Sequence, residues 1–184
     1  MRIIGGKYGG RRIQPPAKMP HTRPTTDVAK EGLFNVLENN LDIPGMKTLD
    51  LFGGTGCISY ELASRGAADL CIVEQDTRQV GFIRDTARSL GIADLRIFKM
   101  EVFRFIRHCE ETFDFIFAGP PYALAAIDQL PEHIFERKLL RPGGWFVLEH
   151  TPRNNYQDHP RFHSERRYGT TIFSIFIQPE EKAE

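Results

Sequence analysis

From residue 47 onward, short apolar runs alternate with stretches whose apolar residues recur every three or four positions. The runs 47–52 (KTLDLF), 69–75 (DLCIVEQ), 95–99 (LRIFK), 113–119 (FDFIFAG) and 145–150 (WFVLEH) have the length and content of buried strands. The stretches 56–65, 77–90, 102–109 and 127–140 read as helices, ended near Gly66, by Gly91 and by Arg141-Pro142-Gly143-Gly144. Strands alternating with helices of this length imply a parallel sheet covered on both faces. The chain then changes character. Phe162–Tyr168 and Thr171–Ile177 are extended runs separated by Gly169-Thr170, which reads as a hairpin. The expected fold is therefore α/β, a doubly wound, mostly parallel sheet ending in an antiparallel hairpin.

Before residue 47 the pattern is different. RIIGGKYGGRRIQPP reads as two short strands around Tyr8-Gly9-Gly10, an N-terminal β-hairpin ended by Pro15 and Pro16. Residues 17–24 are loop-like. Thr25-Thr26-Asp27 offers side-chain oxygens that can cap free N–H groups. Val28, Ala29, Gly32, Leu33, Val36, Leu37 and Leu41 then follow at helical spacing, which predicts a helix over 26–41. The chain divides into a basic arm (1–24), a main domain (25–178) and a frayed tail (179–184). No repeat or low-complexity segment interrupts it.

Composition narrows the class. A chain of 184 residues, 41% hydrophobic and 26% charged, is an ordinary globular domain. No run approaches the ~20 apolar residues of a membrane span, and the N-terminus lacks an apolar signal core, so no membrane partner and a cytoplasmic location are expected. Cys57, Cys71 and Cys109 form no CxxC pair, which points to buried thiols rather than a disulfide framework or zinc site. The 24 basic and 24 acidic residues are unevenly placed. Residues 1–24 hold six basic residues and no acid; the other 160 hold 18 basic and 24 acidic. A basic arm on an acidic body suggests a polyanion met at one end; the alternative is a solvated basic tail.

The chemistry is concentrated after the strands. Asp50-Leu51-Phe52-Gly53-Gly54-Thr55-Gly56 closes the first parallel strand, where open α/β sheets bind ligands. Gly54 and Gly56 fit a dinucleotide fingerprint, but Ser59 stands at its last position, so the nicotinamide match is incomplete. Glu74 ends the second strand, where a carboxylate can accept ribose hydroxyls. Glu101 follows the third strand and could bond an adenine amine, or could merely suit a helix N-terminus. Gln75 and Val102, the next residues in the chain, complete the cofactor set. After the fourth strand comes Gly119-Pro120-Pro121-Tyr122. Two prolines make this loop stiff and remove two N–H donors, and the aromatic can stack on a planar base. Beside an adenosyl cofactor, such a loop suits methylation of an exocyclic amine, which needs placement more than acid–base chemistry.

Together these segments resemble the bacterial class I S-adenosylmethionine-dependent methyltransferases that modify guanine N2 in small-subunit (16S) ribosomal RNA, often called RsmD-like. RIIGGKYGGRRI resembles the family's RNA-contacting hairpin. RPTTDVAKEGLFNVL (23–37) is similar to its most specific segment, R-P-T-x-D-x-x-[KR]-E-x-L-F-N. DLFGGTG is similar to its cofactor loop, and Glu74 matches its ribose-binding acid. The resemblance implies a seven-stranded Rossmann-like sheet, S-adenosylmethionine as donor and S-adenosylhomocysteine as product. It places Arg23, Thr25 and Thr26 over the cofactor and substrate cleft. The substrate it implies is small-subunit ribosomal RNA or a partly assembled 30S subunit, and a monomer is expected.

Arg2, Lys7, Arg11, Arg12 and Arg23 are the candidates for phosphate contacts. Arg153, Arg161, Arg166 and Arg167 could extend that track or be ordinary surface arginines. His150, His159 and His163 lack a partner carboxylate at convincing spacing, so no metal is assigned. The chain departs from the family at two positions. Gly119 stands where Asp is usual in the catalytic loop, and Glu101 stands where Asp or Asn is common. Losing one charge-assisted bond from the carboxylate at 119 would cost roughly 2–4 kcal/mol, about 30- to 1000-fold in rate. Restoring it with Gly119→Asp is accordingly expected to raise methyl transfer. The alternatives are a cofactor- and RNA-binding protein that scarcely turns over, a DNA adenine-N6 methyltransferase, and, more distantly, a nicotinamide oxidoreductase.

Overall fold

The computed structural model describes residues 1–19 and 25–183. Its centre is a seven-stranded sheet of order β3-β2-β1-β4-β5-β7-β6. The strands are β1 (Lys47–Leu51), β2 (Asp69–Glu74), β3 (Leu95–Lys99), β4 (Phe113–Ala118), β5 (Leu140–His150), β6 (Phe162–Tyr168) and β7 (Thr171–Ile177). The first five run parallel; β7 is antiparallel to β5 and forms a hairpin with β6. From β1 the chain moves outward to β2 and β3, then returns to β4 on the other side. The order therefore reverses between β1 and β4, and that reversal opens a crevice at the strands' carboxyl ends.

Five helices complete the fold: α1 (Asp27–Asn40), α2 (Cys57–Ser64), α3 (Thr77–Leu90), α4 (Val102–His108) and α5 (Gln129–Glu136). Strand residues alternate between two cores. Leu49, Leu51, Ile116, Ala118, Phe146 and Leu148 pack with α4 and α5, through residues such as Phe105, Ile106, Leu130 and Ile134. Phe115, Phe117, Trp145, Val147 and Phe173 pack with Leu33, Phe34 and Leu37 of α1 and Ile58 and Leu62 of α2. Burial on both faces explains why β1, β2 and β4 read as nearly continuous apolar runs.

Three expectations are corrected. The N-terminal segment does turn back on itself, but as one antiparallel bridge between Arg2 and Arg12 rather than two strands. It is joined by Ile3 N–H to Arg11 O (2.9 Å) and Ile13 N–H to Met1 O (2.9 Å). Gly10 N–H to Ile3 O (2.8 Å) completes that pairing, and the residues between bond to α2. The Glu61 carboxylate accepts Ile4 N–H (2.8 Å) and Gly5 N–H (3.1 Å), and Ser64 Oγ accepts Tyr8 N–H (2.9 Å). Ile3, Tyr8 and Ile13 are buried against α2 and α3. Second, the helix expected over 127–140 is shorter. Lys138 adopts φ 53° and Leu139 N–H bonds back to Ile134 O (3.2 Å), which closes α5 without a glycine. Third, β5 begins at Leu140, five residues before the expected 145. Arg141–Gly144 is accommodated as an irregularity: Phe113 pairs with Leu140, yet Phe115 pairs with Trp145. Gly143, at φ 77°, makes the bend, and its N–H bonds Gln178 O (2.9 Å).

Candidate functional site

A cavity of about 1070 Å³ lies over the β1–β4 crevice. Its floor begins at the end of β1. There Phe52 sits at φ 61°, a strained setting for a bulky residue, and Gly54 and Gly56 are left-handed at 58° and 83°. The resulting turn lifts the backbone of Phe52–Thr55 into the cavity wall. Gly53 must be a glycine, since a Cβ there would meet Ile72 Cγ2 at 2.3 Å. Gly56 does not line the cavity; it is the N-cap of α2, and a Cβ on it would meet Tyr60 Oη at 2.5 Å.

Glu74 ties the glycine turn to the neighbouring strand end. Oε1 accepts Gly54 N–H (3.0 Å) and Oε2 accepts Asp76 N–H (2.9 Å). Gln75 lines the cavity beside it. Asp50 lies beneath the turn, 2% exposed, and its carboxylate accepts the Ser59 hydroxyl at 2.7 Å. Burial pushes its carboxyl up to about 7, the Ser59 hydroxyl opposes this, and the Glu74 charge adds to it. Glu101 is the N-cap of α4. Its carboxylate accepts the N–H groups of Phe103 and Arg104, so it serves the helix while also lining the cavity with Val102.

The far wall is the loop after β4. Gly119, Pro120, Pro121 and Tyr122 all line the cavity. Gly119 N–H bonds Leu51 O (3.3 Å), which ties the loop to the end of β1. The Pro121 carbonyl accepts Leu124 N–H (2.9 Å) and is used within the loop itself. Thr25 also lines the cavity, and its hydroxyl donates to Glu149 Oε1 (2.7 Å). Thr26 is the N-cap of α1, accepting Ala29 N–H (3.2 Å), and lies outside the lining. Arg23 falls outside the described residues.

The arm's charges are placed away from this lining. Lys7, Arg11 and Arg12 are exposed, the first two over the Tyr8 ring, and Arg2 pairs with Asp27 (3.6 Å). Arg153, Arg161, Arg166 and Arg167 are exposed, the last two on the edge strand β6, where Arg167 pairs with Glu165 (3.2 Å). His150 is buried, with Nε2 2.7 Å from Ser174 Oγ, while His159 and His163 pack on Phe135 and Trp145. Among the described residues, no three His, Cys, Asp or Glu side chains gather in a metal-binding group. Nor is any described helix long and apolar enough to cross a membrane. The three cysteines are buried, and burial pushes Cys57 up to about 11 and Cys71 to about 12.

Sequence reasoning passed over several cavity residues: Asp76, Met100, Phe103, Phe117 and Glu149. For Glu149 a signal existed. It is an acid at the carboxyl end of a parallel strand, the same position that singled out Glu74.

Comparison with known proteins places the chain in a family. A family profile described as Conserved hypothetical protein 95 matches residues 1–177. YlbH of Bacillus subtilis (strain 168), which carries a provisional rRNA methyltransferase name, is 31% identical over 154 residues, 82% of each chain. Ribosomal RNA small subunit methyltransferase D of Escherichia coli (strain K12) is 29% identical over 149 residues, covering 81% of this chain and 71% of the relative. A solved structure of a hypothetical protein from Thermus thermophilus superposes with a TM-score of 0.83 at 27% identity, covering 96% of this chain and 98% of the other. With the profile spanning the arm, the glycine turn and the whole sheet, this protein belongs to the Conserved hypothetical protein 95 family, the RsmD family.

Proposed function

We propose that this protein methylates ribosomal RNA, transferring a methyl group from S-adenosylmethionine to the exocyclic N2 amine of a guanine in the small-subunit RNA. The observation that carries this is the pairing of two walls in one cavity, in a chain of this family. Glu74 and the glycine turn form one wall and the Gly119–Tyr122 loop the other. The residues fit an adenosyl donor. A Cβ on Gly54 would meet nothing closer than Phe52 O at 3.8 Å, so that stretch of backbone faces open space. Each Glu74 oxygen holds one backbone N–H and keeps a lone pair for a ribose hydroxyl.

Bound there, the donor supplies an activated methyl group on a sulfonium. The protein's own part is placement. Glu74, Gln75, Glu101 and Val102 would hold the adenosyl end. The double-proline loop is tied at Gly119 N–H, so it presents a stiff edge to an unstacked base, and Tyr122 offers a ring for that base. Lys7, Arg11 and Arg12 would meet phosphates. The absence of a side chain at 119 favours a second reading, a binding protein with little turnover.

Mass spectrometry of small-subunit RNA incubated with protein and S-adenosylmethionine decides between them. One methylguanosine per RNA is expected. Tight RNA and donor binding with no mass gain would favour the second reading, and calorimetric binding of NAD in place of S-adenosylmethionine would exclude both.

A further inference from the structure

Glu149 is an acid in this cavity that the donor end does not use. It lies near the end of β5, 4% exposed, and lines the cavity. The strand registers set Asp50 of β1, Phe117 of β4 and Val147 of β5 in one row across the sheet. Two residues beyond Phe117 and Val147 come Gly119 and Glu149, on the same face. A Cβ built on Gly119 would stand 3.8 Å from Glu149 Oε2 and 3.1 Å from Phe117 Cε1, so that ring must give by a few tenths of an ångström when a side chain is placed there. The other oxygen, Oε1, is held by the Thr25 hydroxyl at 2.7 Å, which fixes the carboxylate's orientation.

We propose that Glu149 is a catalytic residue, its Oε2 accepting the N–H of the target amine beside the Gly119–Tyr122 loop and so replacing the carboxylate that position 119 lacks. This rests on the methyltransferase reading above. As the amine lone pair forms the new N–C bond, the C–S bond of the sulfonium breaks and its electron pair stays on sulfur. The nitrogen then carries one proton too many; it passes to Glu149 Oε2 and leaves to water. The groups facing Glu149 are the neutral Thr25 hydroxyl ahead of α1, Asp50 from β1 and the Cys57 thiol from α2. His150, next in the chain, is turned to Ser174 and Thr151. Burial raises the Glu149 carboxyl above the usual range, against the pull of Thr25, which suits a group that takes up a proton during turnover.

The test is Glu149→Gln, alone and with Gly119→Asp, in single-turnover methyl transfer to small-subunit RNA. The expected result for E149Q is a rate about 100-fold lower, with S-adenosylmethionine affinity by calorimetry within about threefold of the native chain. Adding G119D to E149Q should regain about tenfold or more, because the introduced carboxylate would lie beside the amide at 149 and could accept the same amine N–H. In the native chain, the carboxyl ¹³C resonance of Glu149 should move when RNA is added. A native rate in E149Q, or a double variant no faster than E149Q, overturns the proposal. A native chain that binds donor but never methylates RNA overturns the methyltransferase reading, and this one with it. If E149Q loses donor binding, G119D alone decides. Two carboxylates side by side cannot both ionise easily, so the acid limb of its rate–pH profile should move to higher pH; an unmoved limb overturns the proposal.

Discussion

Asp50 shows how a single buried carboxylate reports on the site. In the unfolded chain it titrates near 4, whereas in the fold burial holds it at about 7. Between those values the folded state keeps a proton that the unfolded state has lost. Stability from this group therefore falls as pH rises from about 4 to 7 and is level above. Asp50→Asn, whose amide oxygen can still accept the Ser59 hydroxyl, should flatten that slope; urea midpoints measured across the window check it. Glu74 and Asp50 were both legible in the sequence, because an acid at a strand end beside a glycine turn is a local pattern. Glu149 was not singled out. Its meaning comes from standing next to Gly119, 30 positions away in the chain, and only the β4–β5 register brings the two together.

At the scale of elements, the close approach of α1 to the terminal hairpin sets a condition that helix propensity would misjudge. A Cβ on Gly32 would lie 2.2 Å from Tyr168 Cζ. On an isolated helix Gly32→Ala would gain about 1 kcal/mol. Here the Tyr168 ring must move, and overpacking costs roughly 1–3 kcal/mol. We expect G32A to be destabilised overall, and its effect to be less than additive with Tyr168→Ala in denaturant titrations. The start of α1 was readable because Thr26 caps it locally; Asp76 caps α3 in the same way but was passed over. The end of α5 was not readable, because Leu139 and Leu140 continue an apolar pattern although the helix has closed and β5 begins at Leu140. The arm illustrates the same limit. Its turn was visible in Tyr8-Gly9-Gly10, but its anchoring to Glu61 and Ser64 was not. Glu61, fully buried, also faces the buried Lys30 at 3.5 Å and Arg65 at 3.0 Å.

For the whole molecule, this anchoring changes how RNA binding is tested. Removing residues 1–14 would expose the cluster around Ile3, Tyr8 and Ile13 and strip Glu61 of two partners, confounding affinity with stability. Replacing the exposed Lys7, Arg11 and Arg12 with Gln leaves that packing in place. If each meets a phosphate, the slope of log affinity against log salt should lessen by roughly 2 in the triple variant, at about 0.7–0.9 per contact. An unchanged slope in fluorescence anisotropy would place the RNA elsewhere on the surface. The sequence by itself determined the alternation of strands and helices, the glycine turn, the stiff loop and the basic arm, though not the ends of α5 and β5 or the pairing of the arm, because periodicity, caps and turn residues act over a few positions. Only the tertiary structure decided that Gly119 and Glu149 are neighbours, that Thr25 reaches across to hold that acid, and that the arm is part of the core. Those contacts join residues far apart in the chain, and such pairs meet only once the sheet has set its strand order and register.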